Sequence, residues 1–268
     1  MPKRLADAGW IWEGQYLDPD FPPSIFGVTQ GAAYFGLRKT IWMYEPNSEF
    51  AMEQMRRLDE VVLHMIPYPF LHPEVTLPDG SRTRASCMYW NNTAAALAEE
   101  SRTIARLSRT HPNISGGLHD DMLGGLRDEK ITPSQYATVH DALKENPKLK
   151  LWGIVYTHEL DASAWAPFIP FIDVVNLWNW RAKDLVNLDR DITRCREIFP
   201  GKPVNLGCYL RDYPESRAMP MDLLKQQWEH IPKYLADGKI TGFSILGAYL
   251  IDQHPEQASW VRNFIRAN

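Results

Sequence analysis

Eight short runs rich in Val, Ile, Trp and Tyr recur along the 268 residues, and a helical or polar stretch follows each one. They are GWIW (9–12), KTIWMY (39–44), EVVLHMI (60–66), ISGGL (114–118), KLWGIVY (150–156), DVVNLW (173–178), PVNLGCYL (203–210) and ITGFSIL (240–246). Several are apolar almost throughout, the pattern of strands buried on both faces of a parallel sheet. Helical spacing of apolar residues fills the gaps, most clearly over 93–110, from Thr132-Pro133 onward, and over 187–199, 221–235 and 255–267. Thr132 reads as an N-cap with Pro133 at the first helical position. Further helical patterns cover 24–37, 49–58 and 162–168. Eight strand–helix units in about 250 residues match a single (β/α)8 barrel spanning 1–268. The alternative, an open doubly wound sheet, would place a glycine-rich phosphate loop after its first strand, and GWIWEG is no such loop. The longest non-helical connection, 67–92, follows the third strand and reads as a surface loop or small hairpin, with Pro78-Asp79-Gly80 as its turn.

Charge and cysteine content narrow the function. The net charge of −4 comes without any basic run, so nucleic acid is not an expected partner. No apolar stretch approaches the ~20 residues that span a bilayer. The start, MPKRLADAGW, lacks the apolar core of a signal sequence. The expectation is a cytoplasmic chain or the mature form of an exported one. Cys87, Cys195 and Cys208 are widely spaced, which fits neither a disulfide framework nor a zinc knuckle.

Barrel active sites lie at the carboxyl ends of the strands. There the runs deliver acids and aromatics: Trp12 and Glu13, Tyr44 and Glu45, His64, His119-Asp120-Asp121, Tyr156, His158 and Glu159, Trp178-Asn179-Trp180, Tyr209, Arg211 and Asp212, and Tyr249. The fourth run is the most pointed. Side chains alternate along a strand, so Asp120 and Asp121 cannot face the same way while the chain stays extended. One is expected at the lumen mouth, and the other orients a neighbour or caps the next turn.

Two carboxyl groups flanking a bond suit glycoside hydrolysis, one donating a proton and the other attacking or activating water. Asp120 or Asp121 fills the first role, with Glu159 or Asp212 as partner, and His119 and His158 orient or shuttle protons. Trp12, Trp42, Tyr44, Trp178, Trp180, Tyr209 and Tyr249 are candidate stacking surfaces for sugar rings, with Glu45, His64, Asn179 and Arg211 as polar contacts. Trp152, Trp228 and Trp260 fit packing positions instead. Arg181 and Arg211 would admit an acidic sugar if they face the pocket; otherwise they neutralise Asp184 and Asp212. A rival reading takes His64, His119, Asp121, His158 and Glu159 as ligands of Zn, Mn or Fe in a metal-dependent sugar isomerase, epimerase or lyase. A third is a sugar-binding barrel without catalysis.

In ISGGLHDDM (114–122), in the aromatic strand end VVNLWNW (174–180) and in its eightfold alternation, the chain resembles the broad superfamily of glycoside-hydrolase-type TIM barrels. The resemblance covers the whole architecture. It does not extend to a chitinase-type D-x-x-D-x-D-x-E or to an Asn-Glu pair at the fourth strand. It implies a carbohydrate substrate, oligosaccharide or smaller, and no required cofactor.

Overall fold

The computed structural model describes residues 4–13, 24–67, 70–71, 74–84, 87–88 and 90–268. Part of the expected loop 67–92 lies outside the described residues, as does the side chain of Cys87. Eight parallel strands close into a barrel: β1 (Gly9–Trp12), β2 (Lys39–Trp42), β3 (Glu60–His64), β4 (Ile114–His119), β5 (Lys150–Tyr156), β6 (Val174–Trp178), β7 (Val204–Tyr209) and β8 (Gly242–Leu246). Neighbours hydrogen-bond in the order β1-β8-β7-β6-β5-β4-β3-β2, with β2 returning to β1. Every residue of β1, β6, β7 and β8 is buried, because one face meets the lumen and the other meets helices.

The outer layer comprises α1 (Val28–Phe35), α2 (Glu49–Met55), α3 (Ala94–Leu107), α4 (Met122–Asp128), α5 (Pro133–Leu143), α6 (Ala162–Trp165), α7 (Leu188–Ile198), α8 (Met221–Ala236) and α9 (Pro255–Ala267). Thr132 caps α5 as its sequence predicts, accepting from the Gln135 N–H at 3.3 Å while Gln135 accepts from the Thr132 N–H at 2.8 Å. Several helices are shorter than their patterns, α1, α2, α3 and α6 among them. α1 begins at Val28 because the preceding residues are held otherwise: Ser24 Oγ and the Ile25 N–H both donate to the Asp252 carboxylate, at 2.7 and 3.1 Å. α6 stops at Trp165, and Pro167, which has no N–H, cannot donate the bond that would extend it. One helix, α4, escapes the sequence pattern because its segment MLGGLRD carries two glycines.

The connection after β3 contains a small hairpin, as expected. Glu74–Thr76 pairs antiparallel with Arg82–Arg84, and Phe70–Leu71 with Cys87–Met88. At its tip Gly80 has φ +83°, and Asp79 Oδ1 accepts from the Ser81 N–H at 2.9 Å.

Ring contacts across the barrel identify what fills the lumen. Trp10 on β1 meets Trp152 on β5 edge to face at 4.9 Å, and these strands are not neighbours, so both side chains point inward. One layer higher, Trp12 on β1 meets Trp178 on β6 at 5.2 Å. Between them and the sheet, Asn176 donates to Ser244 Oγ at 3.1 Å, and Ser244 donates to Asn205. The lumen is therefore a packed core floored by tryptophans, and open space begins only above Trp12 and Trp178.

Gly207 on β7 makes this upper layer possible. A Cβ there would lie 2.0 Å from the Trp178 indole. That ring cannot retreat, since Trp12 and Tyr209 hold it at 5.2 and 4.6 Å. Gly207→Ala is expected to destabilise the fold by about 1–3 kcal/mol through overpacking, read as a lower urea midpoint. A midpoint equal to the wild type would show that the indole can move aside.

Candidate active site

β4 carries the chemistry to the rim, and its glycines show which way each side chain points. A Cβ on Gly116 would touch Trp152, a lumen residue, whereas one on Gly117 would touch Leu143 of α5. Alternation then sends His119 outward and Asp120 inward. His119 indeed lies under the helices, its ring nitrogens 3.0 Å from the Tyr136 hydroxyl and 3.1 Å from Asn92 Oδ1. Burial lowers its pKa to about 3, so it stays neutral. Asp120 faces the lumen mouth and accepts from the Tyr44 hydroxyl at 3.2 Å.

Asp121 should then point away, and it does not. Its backbone is left-handed, φ 44° and ψ 40°, which breaks the alternation and returns its side chain to the same opening. Asp121 stands at the N-cap position of α4, yet its carboxylate does not cap the helix. It accepts instead from the Tyr156 hydroxyl on β5 at 2.7 Å. The Asp121 N–H donates to Asp120 Oδ1 at 3.1 Å. Tyr44 also has positive φ, 63°, so two of the four non-glycine residues in this strained region belong to one site.

Two connected chambers open there. The inner one, about 170 Å³, is lined by Asp120, Asp121, Trp12, Tyr44, Trp178 and Tyr209, among others. The outer one, about 500 Å³, includes Asp121, Asp128, Glu129, His158 and Glu159. Trp90, Asp121, Tyr156 and Trp180 line both. Trp90 and Trp180 are 40% and 37% exposed and flank the mouth. Trp180 lies flat against Tyr213 at 5.8 Å. The indole N–H groups of Trp12 and Trp178, in side chains only 2% exposed, have no protein partner among the described residues.

The electrostatics follow from burial without cations. Burial, then the adjacent Asp121 charge, pushes Asp120 well above the ordinary carboxyl range. Burial also raises Asp121, opposed by the hydrogen bond from Tyr156 and by His158. Glu159 is raised by burial too, and it accepts from the Tyr156 N–H at 3.2 Å.

Several residues singled out by sequence lie elsewhere. Both His64 ring nitrogens contact backbone carbonyls, those of Ile66 and, at 2.7 Å, Glu45; burial lowers its pKa to about 4. Glu45 lines a separate groove with Glu13 and Trp42. Asp212 sits beside Arg181 in another, 3.4 Å from Arg217. Arg211 is buried, its guanidinium 5.9 Å from the Tyr213 ring. Tyr249 stands one step behind the wall, hydrogen-bonded to Tyr213 at 2.7 Å. Asn179 is buried and lines neither chamber. The five residues of the metal reading do not converge: among the described residues no three of His, Cys, Asp and Glu form a metal-binding group. Conversely, Trp90 and Asn92, at the end of the long connection, reach the site and were not legible in sequence. A Cβ on Gly125 would lie 2.3 Å from Asn92 Nδ2, so the second glycine of α4 lets Asn92 approach.

No protein-family model matches the sequence, and a search of curated proteins finds no match. Solved structures do match the fold. The xylanase and α-amylase inhibitor protein XAIP-II from Scadoxus multiflorus has TM-score 0.57 at 13% identity, with 98% of each chain covered. The glycoside hydrolase domain of PgaB (BpsB) from Bordetella bronchiseptica has 0.51 at 12%, covering 97% of this chain and 99% of that one. The GH99 endo-α-mannosidase from Bacteroides thetaiotaomicron has 0.54 at 12%, with 98% of each covered. At these identities the likeness establishes the TIM-barrel fold alone.

A raised Asp120 means that the native state holds a proton the unfolded chain releases above its ordinary pKa of about 3.9. The associated stabilisation is present at low pH and is lost as pH rises through the folded pKa. Asp120→Asn, which keeps an acceptor for Tyr44, is therefore expected to raise the melting temperature at pH 8 and to change it little at pH 4. Equal shifts at both pH values would contradict the raised pKa.

Proposed function

We propose that the protein is a glycoside hydrolase in which Asp120 and Asp121 act together at the junction of the two chambers. The observation that carries this reading is the left-handed backbone at Asp121, which brings two consecutive carboxyl groups into one aromatic-walled cavity. Two buried carboxyls side by side do not both ionise at neutral pH. The proton stays on Asp120, which is more buried and whose contacts, from Tyr44 at 3.2 Å and the Asp121 N–H at 3.1 Å, are longer than the 2.7 Å bond to Asp121. Asp121 carries the charge, since Tyr156 stabilises its ionised form.

In this arrangement Asp120 donates its proton to the glycosidic oxygen as the leaving group departs. The Asp121 carboxylate faces the positive charge that develops at the anomeric centre, and water completes the hydrolysis. Tyr156, which donates to Asp121 at 2.7 Å, positions it. Trp90 and Trp180 are partly exposed at the mouth and suit the apolar side of a sugar, and the buried indole N–H groups of Trp12 and Trp178, without a partner among the described residues, are the candidate donors for its hydroxyl oxygens. Glu159 and His158, in the outer chamber with Asp121, are the remaining candidates for proton traffic. Asp212 is not included, because it is paired with Arg217 in a separate groove.

A panel of natural glycans, read by reducing ends released, tests the reading. Asp120→Asn and Asp121→Asn should each lower kcat by about 10²–10⁴-fold while sugar binding persists by calorimetry. Two active variants would overturn the assignment, and binding without product in the wild type would leave a sugar-binding barrel. Because the acid must be protonated, activity should extend toward neutral pH and fall as pH rises through the raised pKa of Asp120. Tyr156→Phe should shift that profile, since it removes the donor that holds Asp121 ionised.

A further inference from the structure

The two chambers share an asymmetry of charge that the hydrolytic reading does not need. Asp120, Asp121, Asp128, Glu129 and Glu159 line them, and among the described residues no Lys or Arg does. Arg127 reaches Asp128 at 3.2 Å from a side chain 77% exposed, so it offsets one charge from the solvent side. His158 is the one basic lining group, and it lies beside Asp121. The arginines that could have received an acidic sugar are elsewhere: Arg181 lies in the groove of Asp212, and Arg211 is buried and lines neither chamber.

Donors and acceptors are also segregated. The floor of the inner chamber has the indole N–H groups of Trp12 and Trp178, buried and without a partner among the described residues, which call for acceptor oxygens. The outer chamber presents carboxylates, which call for donors, and burial of Glu159 raises the cost of that charge more than His158 and Arg127 offset it. The flanking faces of Trp90 and Trp180 attract a cation as well as an apolar sugar face. Gly124 leaves the wall bare, with nothing within 4 Å of where its Cβ would be.

We infer that the cleft selects a glycan whose unit in the outer chamber is an amino sugar with a free, protonated amine, and that it discriminates against uronates. This rests on the glycan-cleaving reading above. The ammonium donates to the Glu129 and Glu159 carboxylates, while hydroxyl oxygens of the unit in the inner chamber accept from the two indoles. An N-acetylated unit loses the charge, and a uronate brings a like charge into a cleft whose described lining has five acids and no Lys or Arg.

Methyl glycosides separate charge from linkage. Methyl glucosaminide, methyl N-acetylglucosaminide, methyl glucoside and methyl glucuronide would be titrated by NMR into the full chain, at a pH where the amine is protonated. The glucosaminide should bind about tenfold more tightly than the glucoside at low salt, with the gap closing at high salt, and the glucuronide should bind weakest. The double variant Asp128→Asn/Glu129→Gln changes two exposed residues outside the catalytic pair. It should weaken glucosaminide binding about fivefold and leave glucoside binding unchanged. Glucoside, N-acetylglucosaminide or glucuronide binding at least as tight as glucosaminide would overturn the inference while leaving the glycan reading in place. So would a double variant that weakens none of them. Absence of binding by all four would overturn both.

Discussion

The cleft depends on one hydrogen bond and the backbone that permits it. Tyr156 on β5 donates to the Asp121 carboxylate at 2.7 Å, and Asp121 can receive it only because its φ is 44°. Had β4 stayed extended, Asp121 would have followed His119 into the helix layer, and Asp120 would stand alone. The left-handed conformation costs on the order of 1–3 kcal/mol at a non-glycine residue. The surrounding structure holds it there: α4 starts immediately afterwards, the Asp121 N–H is anchored on Asp120, and Tyr156 donates to the carboxylate.

The same arrangement sets the electrostatics. Most buried acids in folded proteins are paired with a cation, as Asp212 is with Arg217. Asp120 and Asp121 are held by phenols, which supply hydrogen bonds without charge. A neutral donor lowers a carboxyl pKa less than a guanidinium does, so burial wins and both groups are raised. That is a poor arrangement for stability and a suitable one for proton donation near neutral pH. The glycines of the barrel wall serve the same end at a distance. Gly207 gives Trp178 its place, and Trp178 with Trp12 forms the floor on which the inner chamber rests.

The barrel itself was legible in the sequence, because burial on both faces imposes near-continuous apolar runs that no loop needs. All eight runs became barrel strands, and the helices at 94–107, 133–143 and 255–267 lie where their caps and spacing put them. The site was legible only in part. HDD at the end of β4 marks the carboxyl pair, and WNW marks Trp178 and Trp180, since both follow directly from their strands. His64 and His119 also stand at strand ends, but one ring is spent on backbone carbonyls and the other on Tyr136 and Asn92. Position along a strand does not reveal which face a side chain takes once a residue turns left-handed.

The sequence alone thus determined the barrel, its closed parallel order of eight units, and the rim on which any chemistry would stand. These follow from local periodicity and from the short-range rule that each strand must bury two faces. Only the tertiary structure decided which rim residues meet. Trp90 and Asn92 arrive from a long connection, Asp212 is drawn off by Arg217, and Asp121 turns back toward Asp120. The Asp212 pair needs only a turn of five residues to close, but the other two outcomes depend on partners some thirty residues away, and no local pattern encodes such distances.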